Sequence, residues 1–380
     1  MQIPIQNIYY LLCYAWHRLE EQGLVDLDPA EVGRPQDLLA RVLSSGVRRL
    51  IRLGIDRGYV GREAEQSRLI GRIDFGCSMG RLLLQRARAH CRFDELSHDV
   101  LHNQIIKATL RRLLAVDDLA PDLKDELGGL ILRLREISDI PLRLATFRGV
   151  QRHRNIRFYD FLLSICQLAC RNLLVCEATG EVVFRDFIRD KRQMARLFED
   201  FVRNFYALEQ SEFLVSREGF CWWATAADDE SARLLPQMTT DVSLVSSEQR
   251  IVVECKYYPE TLQTNYGKAS IRSSHLYQLF SYIQNLARVH PGQRIAGILL
   301  YPSVARSLDL RYEFHGIPVR VCTVDLDRNW REIHERLLSV LDASECSQPT
   351  RRDVGSGIQD EDGLHAEQIE PPGACKPTER

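Results

Sequence analysis

One segment constrains the fold more than any other: Ile251-Val252-Val253-Glu254-Cys255-Lys256. A short β-branched apolar run of this kind reads as a strand of a sheet. Yet it ends in a carboxylate and an ammonium. Side chains alternate along a strand, so Val252, Glu254 and Lys256 share one side while Ile251, Val253 and Cys255 share the other. The segment before it, 238–245, also reads as extended and carries Asp241. A short turn near 246–249 folds the two into a hairpin and brings Asp241 close to Glu254.

Two carboxylates a few ångströms apart repel one another unless a cation sits between them. Asp and Glu oxygens completed by water are what Mg²⁺ requires, and the backbone carbonyl of Cys255 is a candidate further ligand. Such an ion binds a scissile phosphate oxygen and acidifies a bound water, and Lys256 would orient that water or stabilise developing charge. A lone Glu-x-Lys also suits a surface hairpin. The apolar strand, the spacing and the helix that follows favour the metal reading. That helix carries Gln278 and Tyr282 four apart on one face, placed to contact DNA phosphates or to hold the metal-site residues. By burial habit alone they suit a half-buried helix face. Lys268 and Arg272, just before the helix, are candidate phosphate contacts.

Periodicity predicts helices over 7–20, 36–53, 99–116, 121–136, 156–178, 190–209, 275–289 and 330–342, with extended segments near 238–245, 250–256, 294–300 and 318–324. From 190 onward the order is helix, strands, helix, strand, strand, helix, which implies a mixed α/β (α+β) sheet flanked by helices. Between 54 and 75 the glycines 54, 58, 61 and 71 punctuate short extended pieces. This reads as a projecting hairpin, either a solvated surface feature or a finger that docks on a partner. The stretch 141–157 is basic, with Arg143, Arg148, Arg152, His153, Arg154 and Arg157, and suits a phosphate-contacting surface or a solvated linker equally. The expected domains are 1–155 and 156–342, followed by a tail at 343–380 too poor in apolar residues to bury a core.

A net charge of −2 leaves no basic field over the whole protein, so any grip on DNA is local or supplied by a partner. The 11 cysteines form no Cys-x-x-Cys pair and read as buried thiols of a reducing compartment. His90, His98, His102 and His153 lack metal-ligand spacing and read as ordinary histidines. No Walker-type Gly-x-x-x-x-Gly-Lys-Ser/Thr occurs, so no nucleotide hydrolysis by this chain is expected. The first residues have no cationic leader, and their apolar run is broken by Gln6 and Asn7. A soluble, cytoplasmic chain without a membrane span is expected.

Asp241, Glu254 and Lys256, with the Gln278…Tyr282 pair, resemble the PD-(D/E)xK nuclease superfamily. A sharper resemblance is carried by Ile3-Pro-Ile-Gln-Asn-Ile-Tyr-Tyr-Leu-Leu-Cys-Tyr-Ala-Trp16, Gly71-Arg-Ile-Asp-Phe75, Asn103-Gln-Ile-Ile-Lys-Ala-Thr-Leu110, Leu235-Pro-Gln-Met-Thr-Thr-Asp241, Lys256-Tyr-Tyr258, Leu276-Tyr-Gln-Leu279 and Cys322-Thr-Val324. These are similar to the McrC family, the nuclease subunits of McrBC-type (type IV, modification-dependent) restriction systems, over about residues 1–342. The resemblance implies a restriction-endonuclease-like C-terminal domain that cuts DNA with one or two Mg²⁺ ions. It also implies an N-terminal domain that docks on a hexameric McrB-like AAA+ GTPase and stimulates it. GTP would be bound by that partner and not by this chain, and the substrate would be double-stranded DNA bearing modified cytosine such as 5-methylcytosine. In nucleases of this architecture a helical glutamate is a frequent extra metal ligand, here Glu199, although that position also suits an exposed helical glutamate. Tyr59, Arg62 and Arg68 are the residues of the hairpin expected to meet the partner. Two alternatives from other classes are a non-catalytic adaptor of an AAA+ motor and a stand-alone RecB-like repair nuclease.

Overall fold

The computed structural model describes residues 3–17, 24, 33–150, 157–175, 182–258, 262–265, 268–303 and 307–341. The chain opens with α1 (Ile5–Ala15), which buries Ile8, Leu11, Leu12 and Tyr14, and α2 (Pro35–Leu53), which starts on Pro35. Proline suits the first helical turn, where its missing N–H has no partner to lose. A finger follows: β1 (Gly58–Gln66), β2 (Arg72–Ile73), α3 (Phe75–Gly80) and β3 (Ala89–Ser97). β1 and β2 do not pair with each other. Both pair antiparallel with β3, in the order β1-β3-β2. The hairpin expected at 54–75 is therefore two outer strands around a third that the pattern did not show. Gly71 allows it, with φ +66° and the space of a Cβ taken by the Arg92 carbonyl 2.3 Å away.

Helices α4 (Leu101–Leu114), α5 (Pro121–Arg133) and α6 (Arg157–Asn172) pack with α2 into a helical layer. α6 stops at Asn172, earlier than the expected 178, and the chain turns into β4 (Leu173–Val175), paired with β5 (Val182–Phe184). Asn172 marks the exit: its side chain donates to Leu168 O at 2.8 Å and its carbonyl accepts from Arg185 N. Next come α7 (Lys191–Glu209), β6 (Leu214–Ser216), β7 (Gly219–Phe220), α8 (Asp229–Leu234), β8 (Met238–Thr239), β9 (Val242–Val245) and β10 (Gln249–Cys255). Asp190 caps α7, accepting from the backbone N–H groups of Arg192 and Gln193. The chain continues through β11 (Leu262–Asn265), β12 (Lys268–Ile271), α9 (Ser273–Val289), β13 (Arg294–Ser303), β14 (Asp309–Phe314), β15 (Ile317–Asp325) and α10 (Trp330–Leu341).

The main sheet has the order β14-β15-β13-β10-β9-β6. β10, β13 and β15 run parallel, while β9 and β14 pair antiparallel with their neighbours. This is the mixed sheet that the pattern of elements implies. Its two faces follow the alternation read from the sequence. Ile251, Val253, Cys255, Ile298 and Leu300 join the core that contains Phe198, Phe201 and Phe205 of α7 and Leu337 of α10. Val252 and Leu299 face Leu279, Ile283 and Leu286 of α9. β6 and β14 were not foreseen, being short or mostly exposed.

The packing crosses the division expected at 155/156. α1 packs on α7, and α6 packs on α2 and α4. Residues 1–341 form one compact unit. Residues 18–20 of the first expected helix, Arg152, His153 and Arg154 of the basic stretch, and the 343–380 tail lie outside the described residues.

Candidate active site

The expected strand 238–245 breaks at Asp241. β8 leaves to pair with β7, and β9 starts only at Val242. The ladder between β9 and β10 ends at Val253↔Val242, so the backbone N–H of Cys255 finds no strand partner there. It donates instead to Asp241 Oδ2, at 2.9 Å. A side chain thus continues the ladder where the backbone departs, and Asp241 is fixed beside the end of β10.

Glu254 and Lys256 leave β10 on the side facing α9. Lys256 Nζ donates to Glu254 Oε1 at 2.5 Å and to Gln278 Oε1 at 3.0 Å. Gln278 Nε2 in turn donates to Tyr282 OH at 3.0 Å. The four-residue spacing on α9 therefore makes a relay that ends on the lysine. Tyr282 also closes the apolar layer under α9, so its ring is core and its hydroxyl is site.

Charge in this pocket is held at high cost. Glu254 is 1% exposed, and its Oε2 is buried with no hydrogen-bond partner among the described residues. Burial raises its pKa, the negative charge of Asp241 raises it further, and Lys256 opposes both. At Lys256 burial acts to lower the pKa but is outweighed by the Glu254 carboxylate, so the ammonium is held charged. Glu199, partly buried on α7, is pushed up to about 7 by burial and then by Asp241. Three carboxylates therefore share one electrostatic neighbourhood with one ammonium. Carboxylate oxygens, one of them orphaned, are the donors a hard divalent cation takes, but the three do not all bring an oxygen within 4.8 Å of one another.

The other expected residues are more scattered. Arg272 immediately precedes α9 and lies over the Tyr258 ring, 5.1 Å from its centroid, with a buried Nε that makes no hydrogen bond among the described residues. Lys268 is in β12, with its side chain outside the described residues. Tyr59 is exposed on β1, Arg62 pairs with Glu95 across the finger at 3.2 Å, and Arg68 is exposed. None of these three approaches the carboxylates.

Sequence reading gave His275 no role. It is buried one turn before Gln278, with Nδ1 3.0 Å from Tyr301 OH and its ring against Tyr258. Burial, then the Lys256 and Arg272 charges, lower its pKa to about 4, so it is neutral at ordinary pH. Its place three residues before Gln278 on the same helix face was the available signal. The eight described cysteines are free thiols, and Cys221 is exposed where burial was expected.

The comparisons with known proteins concern nearly the whole chain. The Escherichia coli (strain K12) protein named type IV methyl-directed restriction enzyme EcoKMcrBC is 33% identical over 340 residues, spanning 90% of this chain and 97% of that protein. Among solved structures, the Thermococcus gammatolerans assembly of McrB AAA+ hexamers with bound McrC contains a chain of similar fold. The match has a TM-score of 0.53 and 18% identity, and covers 89% of this chain and 76% of that one. The model of the McrBC 5-methylcytosine restriction system component family matches residues 9–302. This chain belongs to that family of McrBC restriction system components.

Proposed function

We propose that this chain is the DNA-cleaving subunit of a modification-dependent restriction complex, hydrolysing phosphodiesters at Asp241, Glu254 and Lys256 with Mg²⁺. The observation that carries the reading is Glu254 Oε2, a carboxylate oxygen buried without a partner beside Asp241. A fold does not retain such a group for stability, since an apolar replacement costs less. Asp241 and Glu254 would hold the ion, with Glu199 and the Cys255 carbonyl as further oxygen donors. The ion supplies Lewis acidity toward the phosphate and a more acidic water.

The chain's own residues do the rest. Lys256, anchored to Glu254 and Gln278, keeps its ammonium pointed into the site, where it stabilises negative charge on the phosphate as it develops. Tyr282 and Gln278 hold that ammonium in one orientation. Arg272 and Lys268 sit at the entrance of α9 and would meet flanking phosphates.

The partner is a hexameric McrB-like AAA+ GTPase, as in the Thermococcus assembly of similar fold. It would bind GTP, read modified cytosine and bring double-stranded DNA to this chain, whose net charge of −2 gives it little grip of its own. The finger, with Tyr59 and Arg68 exposed, is the part proposed to enter the motor and raise its GTPase rate. No described helix is long and apolar enough to cross a membrane. Acting on DNA beside such a partner, the chain would work in the cytoplasm.

The test uses methylated plasmid, Mg²⁺, GTP and the partner. Asp241→Ala and Lys256→Ala are each expected to abolish cutting while still stimulating GTP hydrolysis. Cleavage at the parental rate by either variant overturns the assignment.

A further inference from the structure

We propose that Asp74, Cys77 and His90 form a second metal site, on the finger, for a borderline-soft divalent cation of which Zn²⁺ is the representative. One ligand atom from each lies within 4.8 Å of the others, the one such trio of Asp, Glu, Cys and His found among the described residues. The proposal does not depend on the nuclease reading.

The backbone assembles the trio before any ion is considered. Asp74 is the cap of α3, and its Oδ1 accepts from the backbone N–H of Cys77 at 3.0 Å, which fixes Asp74 and Cys77 on one turn. β2 pairs with β3 through Ile73↔Cys91, and Asp74 N donates to His90 O at 2.8 Å. Ser78 ties the same corner, accepting from His90 N at 2.9 Å and donating to Asp74 O at 2.7 Å. Only the side chains then remain to be oriented. His90 Nδ1 is buried and has no hydrogen-bond partner among the described residues. A ring nitrogen left without a partner in a corner so fully bonded is a vacant donor.

The donor set selects the ion. Thiolate sulfur with imidazole nitrogen suits Zn²⁺ and Co²⁺ and disfavours Mg²⁺, which takes oxygen. In a tetrahedral site with bonds of roughly 2.0–2.3 Å, ligand atoms lie ~3.5 Å apart, so the trio closes by little more than about 1 Å at its widest. Asp74 also receives Arg92 Nη2, at 3.4 Å. That guanidinium keeps a closer partner in Glu63, at 2.8 Å, so it stays paired when the carboxylate turns to the ion. Binding releases the Cys77 thiol proton to solvent. Three protein ligands leave a fourth position for water or for a group from a docked partner. The ion would staple β2 and α3 to β3 in a three-stranded sheet whose core is small.

The experiment is Co²⁺ titration of the full chain carrying Asp241→Asn, so that the oxygen site is weakened. The readout is thiolate-to-cobalt charge-transfer absorption, which carboxylate ligands do not give. One equivalent is expected, displaced by Zn²⁺, with proton release. Cys77→Ser should remove the band, and His90→Gln should weaken binding by more than the roughly 10–100-fold that an outer-shell change costs. Circular dichroism establishes that each variant is folded, and both substitutions are close in size to the native side chain. A parental chain without the band, a band that survives Cys77→Ser, or unchanged affinity in His90→Gln overturns the proposal.

Discussion

At Glu254 a carboxylate that is 1% exposed meets a cation on one oxygen only, and Asp241 stands close by. Ionising Glu254 is therefore harder in the folded state than in the unfolded chain, and the same holds at Glu199, which is raised from 4.5 to about 7. A carboxyl whose pKa is raised on folding adds stability below its unfolded pKa and loses it as pH rises through the folded one. In metal-free protein this pair should accordingly cost stability progressively from mildly acid pH to neutrality and above. Mg²⁺ binds the deprotonated groups and reverses the loss, so the rise in Tm on adding Mg²⁺ should be larger at about pH 8 than at about pH 6. A Mg²⁺ shift that is flat across that range would count against ion binding at these carboxylates. Asp241→Asn keeps an acceptor for Cys255 N and removes a like charge. Without metal it is expected to unfold about 1 kcal/mol harder than the parent in denaturant titration, while Mg²⁺ no longer stabilises it. Gln278→Ala leaves Lys256 tied to Glu254 alone, and single-turnover cleavage should slow about tenfold without being lost.

Among the elements, α2 meets α6 at Gly46, where a Cβ would lie 2.3 Å from Leu162 Cδ2. Leu162 is fully buried with no solvent to turn into, so in Gly46→Ala its side chain or the helix that carries it must shift within the core. A loss of about 1–3 kcal/mol is expected by chemical denaturation, despite alanine's better helix propensity. That contact also shows what the sequence could and could not reveal. α2, α7 and α9 were legible because each repeats its apolar residues at helical spacing. The two faces of β10 were legible because its apolar residues from Ile251 to Cys255 are buried and alternate between two cores. β3, β6 and β14 were not, because they are partly exposed and lack a continuous apolar pattern. The break at Asp241 was hidden for another reason: it depends on a bond to Cys255 N, fourteen positions away, and no local propensity encodes it. The candidate Asp241–Glu254–Lys256 cluster could be proposed from spacing along one strand and the segment before it. The Asp74–Cys77–His90 corner could not, since only the pairing of β2 with β3 brings His90 to the others.

For the molecule as a whole, the first helix belongs to the layer that supports the candidate site. α1 buries Ile8, Tyr9, Leu11, Leu12 and Tyr14, and the Tyr14 ring meets Phe201 and Phe205 of α7. Asn7 Nδ2 donates to the carbonyls of Leu326 and Arg328 at 2.8 Å, just past β15. Tyr14 OH donates to Glu209 Oε1 at 2.6 Å, and Glu209 Oε2 is bonded to His334 of α10. Asn204 of α7 returns the contact, donating to the last carbonyls of α1 at Tyr14 and Ala15. The same α7 carries Glu199 to the carboxylates. At about 1.5–3 kcal/mol for each large apolar side chain, the α1 interface is comparable with the whole net stability of a domain. A fragment spanning 157–341 holds every candidate catalytic residue but lacks α1, and α6 in it lacks α2 and α4. It is expected to show no cooperative unfolding transition and no Mg²⁺-dependent rise in Tm. Deleting residues 1–17 from the full chain should have the same effect on Mg²⁺ binding although the carboxylates lie more than 180 positions away. Cooperative unfolding of the 157–341 fragment with an intact Mg²⁺ response would show instead that this part stands alone, and that α1 only rests on it.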